Sequence, residues 1–457
     1  MKFVNREAEL EELEGLRALS KKKLFLTALY GLRRVGKTRL LLEFLKGKGL
    51  YFFVNRNKTS ADLLREYEGI LKAGKILGEL ETLDSWDRFV EVITKRETPP
   101  VVFDEFQNFQ FVEPSVFGIL QKNVDLAEQG RGLIILSGSL MGLMKRMFQS
   151  SKEPLYGRIK KGRKLEPLGI KPCLELGSEL KLRREDLVKL YCIFGGYPKY
   201  YVAIEDYSLQ GKSAEDIIGA LLFAKGAPLE DEVNSMLSQE FGGRSGVYYS
   251  ILEAIAAGNT TMSAIAGYLN TPVTSITRQM TELRDYFEFI EYEKPYSGKK
   301  GAYRIRHPLM QFWFSQIYGR FSDYAARRPE FMEGLKSGLD TAFGRAFEEP
   351  AREFLVSELK LTEARRQWGK IAGAKKGENT YEIDLIGKRQ KETYAFEFKF
   401  KELGMKEALG VLEALREKAK NVPKLPSDAR FGIVAKKLRE KEKIRDAGFL
   451  AYDVEDF

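Results

Sequence analysis

Tyr30-Gly31-Leu32-Arg33-Arg34-Val35-Gly36-Lys37-Thr38 is the stretch whose reading decides the fold. It fits G-x-x-x-x-G-K-[ST], the phosphate-binding P-loop, without a mismatch. Residues 23–29 ahead of it read as a buried strand and residues 38–45 after it as a helix, so the glycines fall at a strand-to-helix turn. There, backbone N–H groups and the helix N-terminus can wrap a phosphate. Gly31 and Gly36 supply backbone freedom that residues with a Cβ lack. Lys37 is placed to reach the β- and γ-phosphates, and the Thr38 hydroxyl to ligate Mg²⁺. Leu32, Arg33, Arg34 and Val35 in the loop and Arg39 in the first helical turn complete the expected nucleotide-binding set.

At 457 residues the chain exceeds one ordinary core, and two to four domains are expected. With 44% hydrophobic and 31% charged residues the composition is that of a soluble globular protein. No run approaches a membrane span, and Met1-Lys2-Phe3-Val4-Asn5-Arg6-Glu7 is not a signal peptide. Cys173 and Cys192 are the two cysteines, which argues for a reducing cytoplasm and against a cysteine-based zinc site. A single histidine, His307, argues against Ser-His-Asp chemistry and His-rich metal sites. The net charge of +10 permits a polyanionic partner without requiring one.

Asn5 to Leu13 opens a helix that Asn5 can cap. Further on, Val101-Val102-Phe103-Asp104-Glu105 reads as a buried parallel strand with its acidic tip at the ligand. Asp104 is placed to hold Mg²⁺ through water, and Glu105 to act as base toward the water that attacks the γ-phosphate. Gly132 to Ser139 is the next buried strand. Either Ser137 or Ser139 at its tip can sense the γ-phosphate, the other reading being an ordinary strand-end turn. Arg158 is a candidate for contacting the γ-phosphate, or else a solvated surface arginine. The Gly195-Gly196-Tyr197-Pro198 break in a helical surround can bring Tyr197 and Pro198 against an adenine base, or merely turn a small helical lid.

Phe3-Val4-Asn5-Arg6-Glu7, the P-loop, Phe103-Asp104-Glu105-Phe106-Gln107, Leu136-Ser137-Gly138-Ser139, Pro154-Leu155-Tyr156-Gly157-Arg158 and Gly195-Gly196-Tyr197-Pro198 together resemble the archaeal ATPase family, of the STAND group of AAA+-related P-loop NTPases. The resemblance covers about the first half of the chain in detail. It implies ATP as the nucleotide, an ASCE-type parallel-sheet core, a helical lid and a winged helix, used together as a nucleotide-controlled switch. Tyr248 to Tyr303 fits a winged helix on its own pattern. Two apolar-periodic helices precede a third that starts at Thr271-Pro272 with a cap and an N1 proline. Thr274, Ser275, Thr277, Arg278 and Gln279 can reach DNA from that third helix, and Lys299 and Lys300 a phosphate from a hairpin tip. The alternative is a module that only packs against the ATPase. His307 to Phe314 reads as the core of a helical linker.

The carboxy-terminal part has its own pattern. Period-2 alternation puts Tyr394, Phe396, Phe398 and Phe400 on one strand face and Glu397 and Lys399 on the other. Asp384, on an adjoining strand, can face the same side as Glu397. Two carboxylates and a lysine on one sheet face suit metal-assisted phosphodiester hydrolysis, with Asp384 and Glu397 on Mg²⁺ or Mn²⁺ and Lys399 steadying the attacking water. With Glu348 on the preceding helix as a further ligand, the set resembles the PD-(D/E)xK restriction-endonuclease-like fold.

The expected architecture is therefore multidomain α/β. It comprises a P-loop ATPase core (1–172), a helical lid (173–240), a winged helix (241–306), a helical linker (307–337) and a nuclease-like domain (338–457). The expected function is an Mg²⁺-dependent, ATP-binding switch that binds DNA, acts in the cytoplasm without membrane contact, and can form a homo-oligomer on ATP binding. A signalling or scaffold ATPase with a non-cleaving terminal domain, and a protein-remodelling ATPase, are the alternatives.

Overall fold

The structure is a computed structural model that describes residues 3–127, 130–242, 246–371 and 379–457. Its first sheet contains β1 (Leu24–Tyr30), β2 (Leu50–Phe53), β3 (Val101–Asp104), β4 (Gly132–Gly138) and β5 (Lys161–Lys164) in the order β2-β3-β4-β1-β5. Every pairing in it is parallel. The central strands are apolar runs because helices cover both sheet faces. Strand β4 lies between β1 and β3, so the P-loop after β1, the acid at the end of β3 and the hydroxyls at the end of β4 share one edge.

The first helix, Glu7–Ser20, has Arg6 at its cap position with no side-chain cap bond. Asn5 is therefore not its cap. Arg6 is buried instead and donates to the carbonyls of Val35 (3.2 Å) and Glu166 (2.8 Å), bracing the P-loop from behind.

Residues 170–241 are built from helices, among them Arg184–Phe194, Pro198–Asp206 and Glu232–Phe241. Three more helices follow, Gly246–Ala256, Met262–Tyr268 and Val273–Thr281, and then an antiparallel hairpin of β6 (Ile290–Glu293) and β7 (Ala302–Ile305). The third helix begins one residue later than expected, with Pro272 in the cap position and no side-chain cap bond. His307 is wholly buried, stacked on Tyr197 at 4.0 Å between ring centroids, and burial pulls its pKa down to about 4. The helix after it, Pro308–Gln316, buries Phe312, Trp313 and Phe314 as core.

The second sheet has the order β12-β11-β10-β9-β8, made of β8 (Glu363–Lys370), β9 (Thr380–Arg389), β10 (Glu392–Leu403), β11 (Arg430–Leu438) and β12 (Leu450–Asp453). Pairings among β8, β9 and β10 are antiparallel, and those among β10, β11 and β12 parallel. The alternation along β10 divides as its period requires. Tyr394, Phe396 and Phe398 join the core that holds Phe347, Phe354 and Phe457, while Ala395 packs with Leu415 of the helix Met405–Ala419.

One helix, Glu348–Glu358, joins the two ends of the molecule. Its Glu353 accepts hydrogen bonds from the Ile170 amide and the Tyr191 hydroxyl, both at 2.8 Å. Burial, reinforced by nearby Glu349, pushes the Glu353 carboxyl up to about 7. Because its pKa is about 4.3 in the unfolded chain, this group favours the folded state below that value, and the advantage is lost as pH rises through 7. Glu353→Gln carries no such dependence. Its melting temperature relative to wild type is expected to rise between pH 5 and pH 8, as followed by circular dichroism.

Candidate functional site

At the β1 tip the backbone turns through Gly36 in the left-handed region (φ 94°) and the helix Lys37–Leu45 begins. A Cβ on Gly31 would stand 2.4 Å from the Leu165 carbonyl oxygen, so that position admits glycine alone. Lys37 is 6% exposed, and its ammonium donates to the carbonyls of Gly31 (2.8 Å) and Leu32 (3.0 Å). Burial lowers its pKa to about 8, opposed by the charges of Glu105 and Asp104.

The Thr38 hydroxyl donates to Asp104 Oδ2 at 2.6 Å, and the Tyr51 hydroxyl donates to the same oxygen at 2.9 Å. Strand β3 thus delivers its terminal acid to the first turn of the P-loop helix. The next residue, Glu105, takes a left-handed backbone (φ 54°). Its carboxylate accepts from Ser139 Oγ at 2.9 Å on both oxygens and from the Gln107 side-chain amide. Of the two hydroxyls at the β4 tip, Ser139 is the one joined to the acidic pair. The Ser137 hydroxyl is buried with no hydrogen-bond partner among the described residues.

Pro198 starts its helix close above the loop, with its ring 3.8 Å from where a Gly36 Cβ would be. Tyr197 does not accompany it, because its buried ring is taken up by His307. Arg158 stands apart from the P-loop constellation. Its guanidinium forks onto Asp125 at 2.8 and 2.7 Å and donates to the Pro154 and Tyr156 carbonyls, so proximity to β4 in sequence does not become proximity to the loop. Arg33, Arg34 and Arg39 meet carboxylates: Arg33 faces Glu240 at 3.9 Å, Arg34 faces Glu232 at 3.0 Å, and Arg39 faces Glu43 at 3.9 Å.

A second cluster lies on the terminal sheet. The β9–β10 ladder pairs Leu385 with Phe396, and one step further along it Asp384 comes beside Glu397. Asp384 Oδ2 accepts from the Phe398 amide at 2.7 Å. Burial and the Glu397 charge push Asp384 up to about 7. Lys399 donates to Glu397 Oε1 at 2.9 Å, and Lys418 on the helix Met405–Ala419 donates to both of its oxygens at 2.9 and 3.1 Å. Glu348 contributes charge to this cluster, but its carboxylate pairs with Arg366 at 3.3 Å. Among the described residues, no three or more acidic, histidine or cysteine groups are gathered closely enough to hold a metal ion.

Arg6, Tyr51, Glu240 and Lys418 join these clusters from sequence-distant elements; Arg6 lies in the Phe3–Glu7 stretch, which assigns it no role, and no motif marks the other three. A buried arginine or glutamate is indistinguishable from a solvated one in a chain this rich in charge.

Comparison with known proteins bears on both ends. Residues 3–204 match the model of a family described as an ATPase domain predominantly from Archaea, and residues 313–411 match one described as archaeal and bacterial proteins of unknown function. An uncharacterised protein of Methanocaldococcus jannaschii is 28% identical over 467 residues, covering 100% of both chains. The Walker-type ATPase paby2304 of Pyrococcus abyssi shares the fold at 22% identity and a TM-score of 0.53, covering 68% of this chain and 96% of that one. The Aeropyrum pernix ORC2 protein is a weaker likeness, at 15% identity and a TM-score of 0.46 over 73% of this chain and 94% of that one. Residues 3–204 are therefore similar to an archaeal-type ATPase domain and share the parallel-sheet P-loop fold, and a terminal sheet unit follows them. Among the described residues no helix is long and apolar enough to cross a membrane.

Gly31→Ala is expected to destabilise the protein by about 1–3 kcal/mol, because the new methyl meets backbone that cannot move freely. Urea denaturation of the variant beside wild type measures this.

Proposed function

We propose that the protein is an ATP-binding switch ATPase that acts on DNA. Lys37, Thr38 and the loop amides from Gly31 to Gly36 take the phosphates, and Pro198 borders the nucleotide. Thr38 and Asp104 are the residues suited to Mg²⁺, a cation that neutralises charge on the phosphates. Glu105, held by Ser139, accepts a proton from the attacking water as the β–γ bridging oxygen departs with ADP. The observation that carries this reading is the 2.6 Å bond from Thr38 to Asp104, formed beside a buried Lys37 across an intervening strand. Their convergence supports a phosphate and cation bound beside them.

In this reading the chain divides into an ATPase core (1–172), a helical lid (173–240), a winged helix (241–306), a helical linker (307–337) and a nuclease-like unit (338–457). Thr274, Ser275, Thr277 and Arg278 are exposed on the helix Val273–Thr281, which favours that helix as the DNA-facing element. A cleaving site at Asp384, Glu397 and Lys399 is a second reading, favoured by their shared sheet face. For Glu397 to ligate a metal there, its two lysine partners must yield.

Lys37→Ala is expected to lose nucleotide binding, and unchanged ATP affinity in that variant rejects the P-loop assignment. Glu105→Gln is expected to bind ATP but hydrolyse it about 10²–10⁴-fold more slowly in a phosphate-release assay. Nicking of plasmid DNA with Mg²⁺ or Mn²⁺ that disappears in Asp384→Ala supports the cleaving site. DNA binding without cleavage under both metals favours a scaffold role for the terminal unit.

A further inference from the structure

Strand β2 runs beside β3 with Tyr51 opposite Val102 and Phe53 opposite Asp104. Side chains alternate along a strand, so Tyr51 and Asp104 share one sheet face while Phe52 takes the other. Phe52 accordingly packs with Tyr67, Phe89 and Phe103, whereas the Tyr51 ring lies against the opposite core, which holds Leu41, Phe44 and Val102. Two residues, about 6.6 Å of strand, separate Tyr51 from the level of Asp104. The tyrosine side chain crosses that offset diagonally, and its hydroxyl arrives at Asp104 Oδ2 at 2.9 Å. Phenylalanine fills the same space and stops one atom short. Serine or threonine is too short to cross it.

Asp104 is 2% exposed, so protein donors take the place of water around it. Its Oδ1 accepts from the Glu105 amide at 3.0 Å. Its Oδ2 accepts from two hydroxyls, Thr38 at 2.6 Å on the P-loop helix and Tyr51 on β2. A carboxylate accepts without donating, so both hydroxyl protons are aimed at Asp104. With its proton committed there, the Thr38 oxygen keeps its lone pairs turned away from Asp104 and open to a cation.

That arrangement depends on the carboxylate not turning. The terminal torsion of an aspartate side chain has a broad minimum, so hydrogen bonds fix it and rotamer preference does not. Thr38 cannot fix it alone, because its own hydroxyl rotates to follow its acceptor. Tyr51 differs, since its ring is packed and its oxygen lies in the ring plane.

We propose that Tyr51 is a positioning residue for a divalent cation: it locks the Asp104 carboxylate and, through it, the direction of the Thr38 lone pairs. The inference rests on the reading of Thr38 and Asp104 as the residues suited to Mg²⁺. Tyr51 belongs to neither the glycine loop nor the acidic pair, and it acts only through Asp104. Outer partners that orient a metal's ligands in this way commonly change its affinity by about 10–100-fold.

The test uses the full chain with a non-hydrolysable ATP analogue and Mn²⁺, whose binding is read by electron paramagnetic resonance without turnover. In Tyr51→Phe, shown to be folded by its melting curve, the Mn²⁺ concentration at half-saturation is expected to rise about tenfold or more. Asp104→Ala is expected to weaken Mn²⁺ binding as well, and adding Tyr51→Phe to it costs nothing further, because the phenol then has no carboxylate to hold. Wild-type Mn²⁺ affinity in Tyr51→Phe, or losses that simply add in the double variant, overturns the positioning role and leaves the nucleotide site standing. Analogue bound by wild type without Mn²⁺ uptake overturns the cation reading and this inference with it. Failure of wild type to bind the analogue overturns the P-loop reading itself.

Discussion

A buried ammonium is the constraint on which the nucleotide end of this protein depends. Lys37 has little contact with water, so its charge must be balanced by protein groups. Two loop carbonyls accept hydrogen bonds from it, and Asp104 and Glu105 at the end of β3 supply compensating charge. Strand order follows from the same requirement. Asp104 reaches Thr38 only because β3 ends level with β1 across the intervening β4. Tyr51 on β2 then gives Asp104 a second donor, which keeps that carboxylate oriented toward the loop instead of folding onto Lys37.

What could be read in the amino-acid sequence is what lies in contiguous runs. The P-loop and its flanking strand and helix are local, and the Asp104-Glu105 pair announces itself at the end of an apolar strand. The face alternation of β10 is local as well, and it separates Phe396 from Glu397 in the structure as period 2 requires. Contacts made by lone charges at long range could not be read. Arg158 and Arg6 are both arginines near apparent motifs, yet one turns outward to Asp125 and the other is buried under the loop. Their difference is set by packing partners distant in sequence, 29 residues away for Arg6 and 33 for Arg158. Tyr197 and Pro198 were separated in the same way: adjacent in the chain, they diverge because His307 claims the tyrosine ring.

The helix Glu348–Glu358 shows where the two ends of the chain meet. Glu353 takes hydrogen bonds from the helical segment behind the first sheet, Glu349 pairs with Arg304 of the hairpin at 2.7 Å, and Glu348 pairs with Arg366 of β8 while its charge acts on Asp384. Three acids on one short helix therefore answer to three bodies. Because the aromatic core beneath it is continuous from Phe25 to Phe457, tilting this helix disturbs packing on both sides. Rigid coupling of that kind transmits displacement and tolerates little local slack.

The hairpin is where that rigidity constrains the choice of DNA-facing surface. The Tyr296 amide donates to the Arg366 carbonyl at 2.9 Å, and the Ser297 amide to the Gln367 side chain at 2.8 Å, so the strand exit is fastened to β8. Gly301 is tied back to the Tyr292 hydroxyl at 2.8 Å. A hairpin held at both ends has no freedom to find a groove by itself. The helix Val273–Thr281 keeps an exposed face that carries Thr274, Ser275 and Thr277. In the proposed DNA-binding reading, a duplex meets this unit helix first. Its path relative to the Asp384 cluster is then set by how the hairpin grips β8, because that grip fixes the angle between the two.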